Sequence, residues 1–206
     1  MVRFINIIIF VLLSNIYPQI YEGNILFTPY SSDVAEETET FFMSSDNEIL
    51  HSWEHDHMPA SMPYLLPDSS IIYPYKVSDP TMTAGGVGGG IQKISWSGDI
   101  IWEYIFSDDT YQHHHDVEPL PNENILIIVW ERKTAQEAYA LGRQAVQNEI
   151  EEMWSTAILE LDPINGEIVW KWHLWDHLVQ DIDQNLPNYG NVSNHPELFD
   201  INCGDV

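Results

Sequence analysis

DNEILHSW (46–53), GDIIWEY (98–104) and NGEIVWKW (165–172) are three versions of one unit: an acidic turn, a pair of branched aliphatic residues, then an aromatic. The first two copies are each followed by a second strand pattern, YLLPDSSIIY (64–73) and EPLPNENILIIVW (118–130). Trp102 follows His51 by 51 residues, and Leu120 follows Leu66 by 54. Paired strands recurring at that spacing, with a Pro-Asp or Pro-Asn turn between them, are the pattern of β-propeller blades. The expected fold is therefore all-β, a β-propeller with about three blades in this chain. The three histidines and an aspartate after the second copy are the main pointer to function.

Alternation within the first copy places Ile49, His51 and Trp53 on one face and Leu50 and Ser52 on the other. In the second, Ile100, Trp102 and Tyr104 oppose Ile101 and Glu103. Asn165 and Gly166, supported by Asp162 and Pro163, mark a tight turn between two strands. Trp170 follows Trp102 by 68 residues, 17 more than the first interval, and the excess reads as a helical insertion over 134–150. Thr134 is the expected N-cap, with Glu137 completing a reciprocal capping pair. Ala135, Ala138, Leu141, Ala145 and Ile150 supply a modest apolar face that Gly142 interrupts. The helix is expected against the outside of the sheet or at its loop end.

The chain has 206 residues, 44% of them hydrophobic, enough for the core of one domain or part of a larger one. Asp and Glu number 32 against 7 Lys and Arg, a net charge of −25. Such a field repels nucleic acid and anionic membrane surfaces. An anionic substrate then needs a local positive site built from few cations, so each arginine is worth locating. Arg3 followed by FINIIIFVLL (4–13) reads as a secretory signal over residues 1–20, with the domain over 21–206. The apolar run falls short of the roughly 20 residues that span a bilayer. The expected location is secreted or periplasmic. Cys203 is the single cysteine and forms no internal disulfide.

AGGVGGG (84–90) has the glycine density of an anion-cradling loop, but neither a Lys-Ser/Thr ending nor a helix pattern follows it. Its expected role is close approach between blades, using glycine's freedom at positive φ.

NILFTPYSSD (24–33), the glycine loop, HHDVEPLPNENIL (114–126), WERKTAQEA (130–138), WHLWDHLVQDID (172–183) and HPELFDIN (195–202) together resemble the bacterial arylsulfotransferase family. The likeness runs from about Asn24 to the end. It implies a six-bladed β-propeller, usually exported. The implied activity moves a sulfuryl group from an aryl sulfate ester to a phenol through a sulfohistidine intermediate, independent of phosphoadenosine phosphosulfate and with no cofactor. The expected partners are an aryl sulfate donor and a phenolic acceptor. A homodimer is compatible with this reading, and no nucleic acid or membrane span enters it. Family members continue with an Asp-Trp-x-His-x-Asn stretch and then an arginine. The expectation is accordingly an amino-terminal portion, inactive alone, with the covalent histidine beyond Val206. Glu123 stands where the family's blade turn usually has glycine, and is expected to cost strain if that position needs positive φ.

By the same resemblance, one active-site histidine lies in the His-His-Asp run. His115 is the choice, with Asp116 beside it to fix its tautomer or ring orientation through a neighbour, and His114 is the alternate; His113 is read as a bystander. The implied role is hydrogen bonding to sulfuryl oxygens or the leaving oxygen. Arg132, at the far end of the following strand, offers a fork for sulfate oxygens, or else pairs with Glu131 or the helix start. His177 either lines the channel or caps a loop. The tryptophans belong mostly to the core. Two other readings compete. One is a metal-dependent hydrolase using His55, Asp56 and His57, the His113–Asp116 run, or Asp176, Asp181 and Asp183. The other is a non-catalytic β-propeller that binds a ligand or partner.

Overall fold

The computed structural model describes residues 23–30 and 38–204; the expected signal segment, residues 1–20, lies outside the described residues. The strands in chain order are β1 (Ile25–Phe27), β2 (Thr38–Met43), β3 (Ile49–His55), β4 (Tyr64–Leu65), β5 (Ile71–Lys76), β6 (Gly89–Ile94) and β7 (Ile100–Ile105). They continue with β8 (Tyr111–Pro119), β9 (Ile125–Thr134), the helix α1 (Ala135–Ala140), β10 (Glu152–Asp162), β11 (Glu167–His173), β12 (Leu178–Val179) and β13 (Phe199–Asp200). β1 to β3, β4 to β7 and β8 to β11 form three antiparallel sheets in sequence order, and β12 and β13 are a short parallel pair. The all-β class is observed. Among the described residues no helix is long and apolar enough to cross a membrane.

The three quoted units fall on β3, β7 and β11, the last strand of each sheet. Each carries the same irregularity. The register slips once against the preceding strand, opposite Phe42/Met43, Lys93/Ile94 and Glu160/Leu161, leaving Leu50, Ile101 and Val169 as the extra residues. A bulge puts neighbouring side chains on the same side. Strict alternation therefore fails at the aliphatic pair: Ile49 and Leu50, and likewise Ile100 and Ile101, are all exposed.

The core lies between stacked sheets. β5 is buried on both faces. Ile71, Tyr73 and Tyr75 pack with Trp53 of the first sheet, while Ile72 packs with Ile127, Val129, Leu159 and Leu161 of the third. Each such aliphatic contributes roughly 1.5–3 kcal/mol by leaving water.

Four hairpin turns share one geometry. In each, the fourth residue's N–H returns to the first residue's carbonyl, and the first residue's N–H reaches the carbonyl of the fifth, starting from Ser44, Leu66, Ser95 and Leu120. The fourth residue is left-handed every time: Asn47, Ser69, Gly98 and Glu123, with φ of 64°, 65°, 90° and 69°. Glu123 thus sits where the backbone favours glycine or asparagine.

The insertion is shorter than its pattern suggests. Thr134 and Glu137 make the capping box as expected, but α1 ends at Ala140. Gly142 turns left-handed at φ 87°, and Arg143 folds back to donate to the carbonyls of Ala145, Ile201, Cys203 and Gly204. That buried guanidinium gathers more hydrogen bonds from irregular chain than a continued helix would offer. α1 sits at the loop end of the sheet, joining β9 to β10.

Candidate active site

β8 is the first strand of its sheet, so one edge has no partner within it. Unpaired backbone groups must be satisfied elsewhere. The glycine loop does this. Gly88 N–H donates to the His113 carbonyl at 3.0 Å, His115 N–H donates to the Gly86 carbonyl at 2.6 Å, and Val87 bridges to His114. Side chains are excluded from the contact. A Cβ on Gly86 would lie 2.4 Å from Cε1 of His115, and one on Gly88 would lie 2.5 Å from Nδ1 of His113. The loop therefore belongs to the second sheet but seats the histidines of the third.

The register of β8 against β9 slips between His113 and Val117, and His115 takes a φ of 57°. Bulges re-aim side chains, and here three consecutive imidazoles enter three environments. His113 is fully buried, and its Nδ1 accepts from Gly89 N–H at 3.1 Å. Burial, then the neighbouring His114, lowers its pKa to about 4, so it is neutral near pH 7. His114 is 5% exposed and stacks on Trp130, with ring centroids 4.4 Å apart. Burial first and His115 second lower its pKa to about 4 as well. Its Nδ1 lies 2.8 Å from Nδ1 of His115. His115 alone is exposed.

Asp116 does not orient His115. Its carboxylate accepts from Ser61 Oγ, in the loop before β4, and from Tyr64 OH of β4, each at 2.9 Å, and from Val117 N–H. The carboxylate anchors the bulge; the ring of His115 is held by His114 and Gly86 instead.

Arg132 shares the Trp130 face of β9, two residues on. Its Nη1 meets Glu152 Oε1 at 3.1 Å and its Nη2 donates to the Thr81 carbonyl at 2.9 Å. The ion pair is with Glu152 and not Glu131, because Glu131 points to the opposite face and holds Lys133 and His173. Among the described residues, Nε of Arg132 is buried without a partner. His177 stands apart from the histidine run, in a one-turn helix over Leu174–His177, and stacks on Trp172 at 5.0 Å.

His55 and His57 stack on Tyr73 and Tyr75, and His55 Nε2 is 2.7 Å from Thr40 Oγ1. These are packing roles. Among the described residues no three His, Cys, Asp or Glu gather as a metal set, so the hydrolase reading gains no support. Two grooves of about 1020 and 750 Å³ lie elsewhere, one beside β3 and Trp96, the other at the turn end around Leu66 and Leu120. Neither is lined by the histidine run. The candidate site is placed at His113–His115 because buried and exposed imidazoles meet there against a backbone-only wall.

Sequence reasoning missed Trp130 as a stacking partner, Ser61 and Tyr64 as the partners of Asp116, and Thr81 as the partner of Arg132. No local signal marks them, since each contact joins different strands or sheets. The family model described as arylsulfotransferase (ASST) matches residues 76–197, more than half of the chain. No curated protein matches it.

Proposed function

The chain belongs to the arylsulfotransferase family, and on that premise we propose that it serves sulfuryl transfer from an aryl sulfate ester to a phenolic acceptor through a sulfohistidine, without phosphoadenosine phosphosulfate. Sulfuryl transfer asks of a protein what phosphoryl transfer asks: in-line positioning, and hydrogen-bond donors where charge spreads over the oxygens. A neutral imidazole attacks or shuttles protons near neutral pH without a stronger base. His115 is the group that meets the substrate in this reading, touching the sulfuryl oxygens or the leaving oxygen. Burial holds its neighbours His113 and His114 neutral near pH 7.

One N–H on Nη1 of Arg132 holds Glu152 and one on Nη2 holds the Thr81 carbonyl, so its contribution in this reading is to position the wall, with its charge shared with Glu152. That engagement is also what favours the second reading, a β-sheet protein that binds a ligand without turnover. His177 stacks on Trp172 and is given no step in this reading. The sheets, stacked in chain order with β4 and β8 as first strands, suit consecutive blades of a propeller whose first strands line a shared axis. Export, expected from residues 4–13, belongs to the same reading.

The observation that carries the proposal is one exposed imidazole, pinned through Gly86 and bonded to a buried neutral one. The test is a transfer assay on the intact protein, since residues 1–206 are expected to be inactive alone, with a chromogenic aryl sulfate and a phenol and no nucleotide added. Transfer should occur, with an acid-labile sulfate on histidine by intact mass. His115→Ala should slow transfer about 10²–10⁴-fold, the span of a general acid or base. Turnover absent alongside tight aryl sulfate binding would favour the binding reading, and near-normal rates in His115→Ala would remove that residue from the site.

A further inference from the structure

We propose that the tether from Ser61 and Tyr64 to Asp116 is a positioning device for His115. By tying the bulge of β8 to the second sheet, it forces the main chain into a left-handed conformation at His115 and so turns that imidazole outward. The tether acts on the main chain and not on the ring. The proposal deepens the sulfuryl-transfer reading and rests on it only for the reaction that the exposed ring serves.

The molecule contains its own comparison. β4, with the residues leading into it, and β8 carry the same bulge. In the second sheet Pro59 faces Tyr75 and Tyr64 faces Ile72, so five steps along one strand match three along the other. In the third, His113 faces Val129 and Glu118 faces Leu126, again five against three. Ser61 therefore takes the place of His115, and Met62 that of Asp116. The backbones differ. His115 has a φ of 57°, whereas Ser61 stays out of the left-handed region. Asn47, Ser69 and Glu123 lie in the shared hairpin turn and Glu151 precedes β10; His115 is the left-handed non-glycine residue inside a strand among the described residues. Two extra residues in the strand do not by themselves require that conformation.

A left-handed backbone is unfavourable for any residue with a Cβ, and it persists only where the surroundings over-determine it. Three hydrogen bonds do so here, and Met62 has no carboxylate with which to make them. Asp116 Oδ1 accepts from Ser61 Oγ and from Val117 N–H, and Oδ2 accepts from Tyr64 OH, each at 2.9 Å. Bonds to an ionised carboxylate are stronger than neutral ones. They fix the chain just after His115 toward the second sheet. Just before its Cα, the His115 N–H is fixed by the Gly86 carbonyl at 2.6 Å. With both flanks held, the left-handed conformation at His115 satisfies them together. The outcome is an exposed ring next to a half-buried Asp116. In the second sheet Met62 is 60% exposed and its bulge stays relaxed.

The test measures this strain in the intact protein, without turnover. His115→Gly and His115→Ala both remove the imidazole, but only glycine escapes the left-handed penalty. Urea unfolding should favour the glycine variant over the alanine variant by about tenfold in the folding equilibrium constant. In an Asp116→Ala background the bulge relaxes, and that advantage should vanish or reverse, because extended chain disfavours glycine. Ser61→Ala combined with Tyr64→Phe cuts two of the three bonds and should shrink the advantage too, which keeps the test decisive if Asp116→Ala does not fold. A glycine advantage unchanged in either background overturns the proposal, and so does its absence from the otherwise wild-type protein.

In the transfer assay, Asp116→Ala should lower kcat about 10²-fold by displacing His115, with KM for the aryl sulfate nearly unchanged. Asp116→Asn keeps an oxygen that accepts from Ser61 and Val117, and should recover most of the loss. An asparagine variant as slow as the alanine one would assign the effect to charge and overturn the tether. The expected unfolding pattern in a protein with no transfer activity would instead sink the sulfuryl-transfer reading and leave the tether standing.

Discussion

The backbone N–H of His115 donates to the carbonyl of Gly86 at 2.6 Å, so the exposed imidazole of one sheet is anchored by its main chain to a loop of the sheet before it. The two residues are adjacent only because consecutive sheets stack face to face. The ring rests where Gly86 would carry a side chain. Loop backbone and candidate-site geometry are consequently one device.

Gly86→Ala tests that coupling. The added Cβ meets the His115 ring at 2.4 Å, and φ at residue 86 is 78°. Alanine there should cost about 1–2 kcal/mol from the left-handed backbone alone. Displacing the ring by an ångström should lower transfer by roughly 10². Gly85→Ala, where a Cβ meets nothing within 4 Å, should leave both stability and rate near wild type. Equal behaviour of the two variants, in urea unfolding and in the transfer assay, would dissociate the loop from the site.

Stability should fall on mild acidification. For His55, His113 and His114, burial is the leading cause that lowers the pKa from 6.5 to about 4. A depressed histidine binds its proton more readily in the unfolded chain. Its contribution is complete above pH 6.5 and is lost as pH falls toward 4. Each such proton costs at most about 1.4 kcal/mol per pH unit, less at His114, which borders solvent through His115. Unfolding free energies measured between pH 6.5 and 5 isolate this effect, because the lowered carboxylates of Asp68, Glu103 and Glu137 titrate lower still. A flat profile over that window would contradict the burial of these imidazoles.

Glu123→Gly should stabilise the protein by about 1 kcal/mol. The residue holds φ 69° in a turn whose counterparts carry Asn47, Ser69 and Gly98, and left-handed geometry costs a side chain of this kind about 1–2 kcal/mol, part of which glycine's entropy takes back. The midpoint of urea unfolding should rise with an unchanged slope. A lower midpoint would mean that the Glu123 side chain makes compensating contacts.

The repeat was legible in the chain because it is written in local chemistry. Turn residues set the hairpins, two-residue alternation marks strands, and a capping box announces a helix start at Thr134. Its limits were local too. The bulges at Leu50, Ile101 and Val169 carry no composition signal, so Ile49, Leu50, Ile100 and Ile101 read as half-core when all four are exposed, whereas in the third unit Ile168 does pack against the core. The end of α1 depended on Arg143 finding carbonyls near Ile201 and Gly204, far along the chain.

At the site, the histidine run and the glycine loop were both visible as unusual segments, and their roles were not. The sequence alone determined the building blocks: all-β units at a regular interval, a dense imidazole cluster, and a glycine stretch free of side chains. Only the tertiary structure decided that His115 is exposed while His113 and His114 are buried, that Gly86 and not Asp116 holds His115, and that Arg132 reaches Thr81 and Glu152. Propensity and spacing act over a few residues, whereas burial, stacking and desolvation depend on which sheet lies against which.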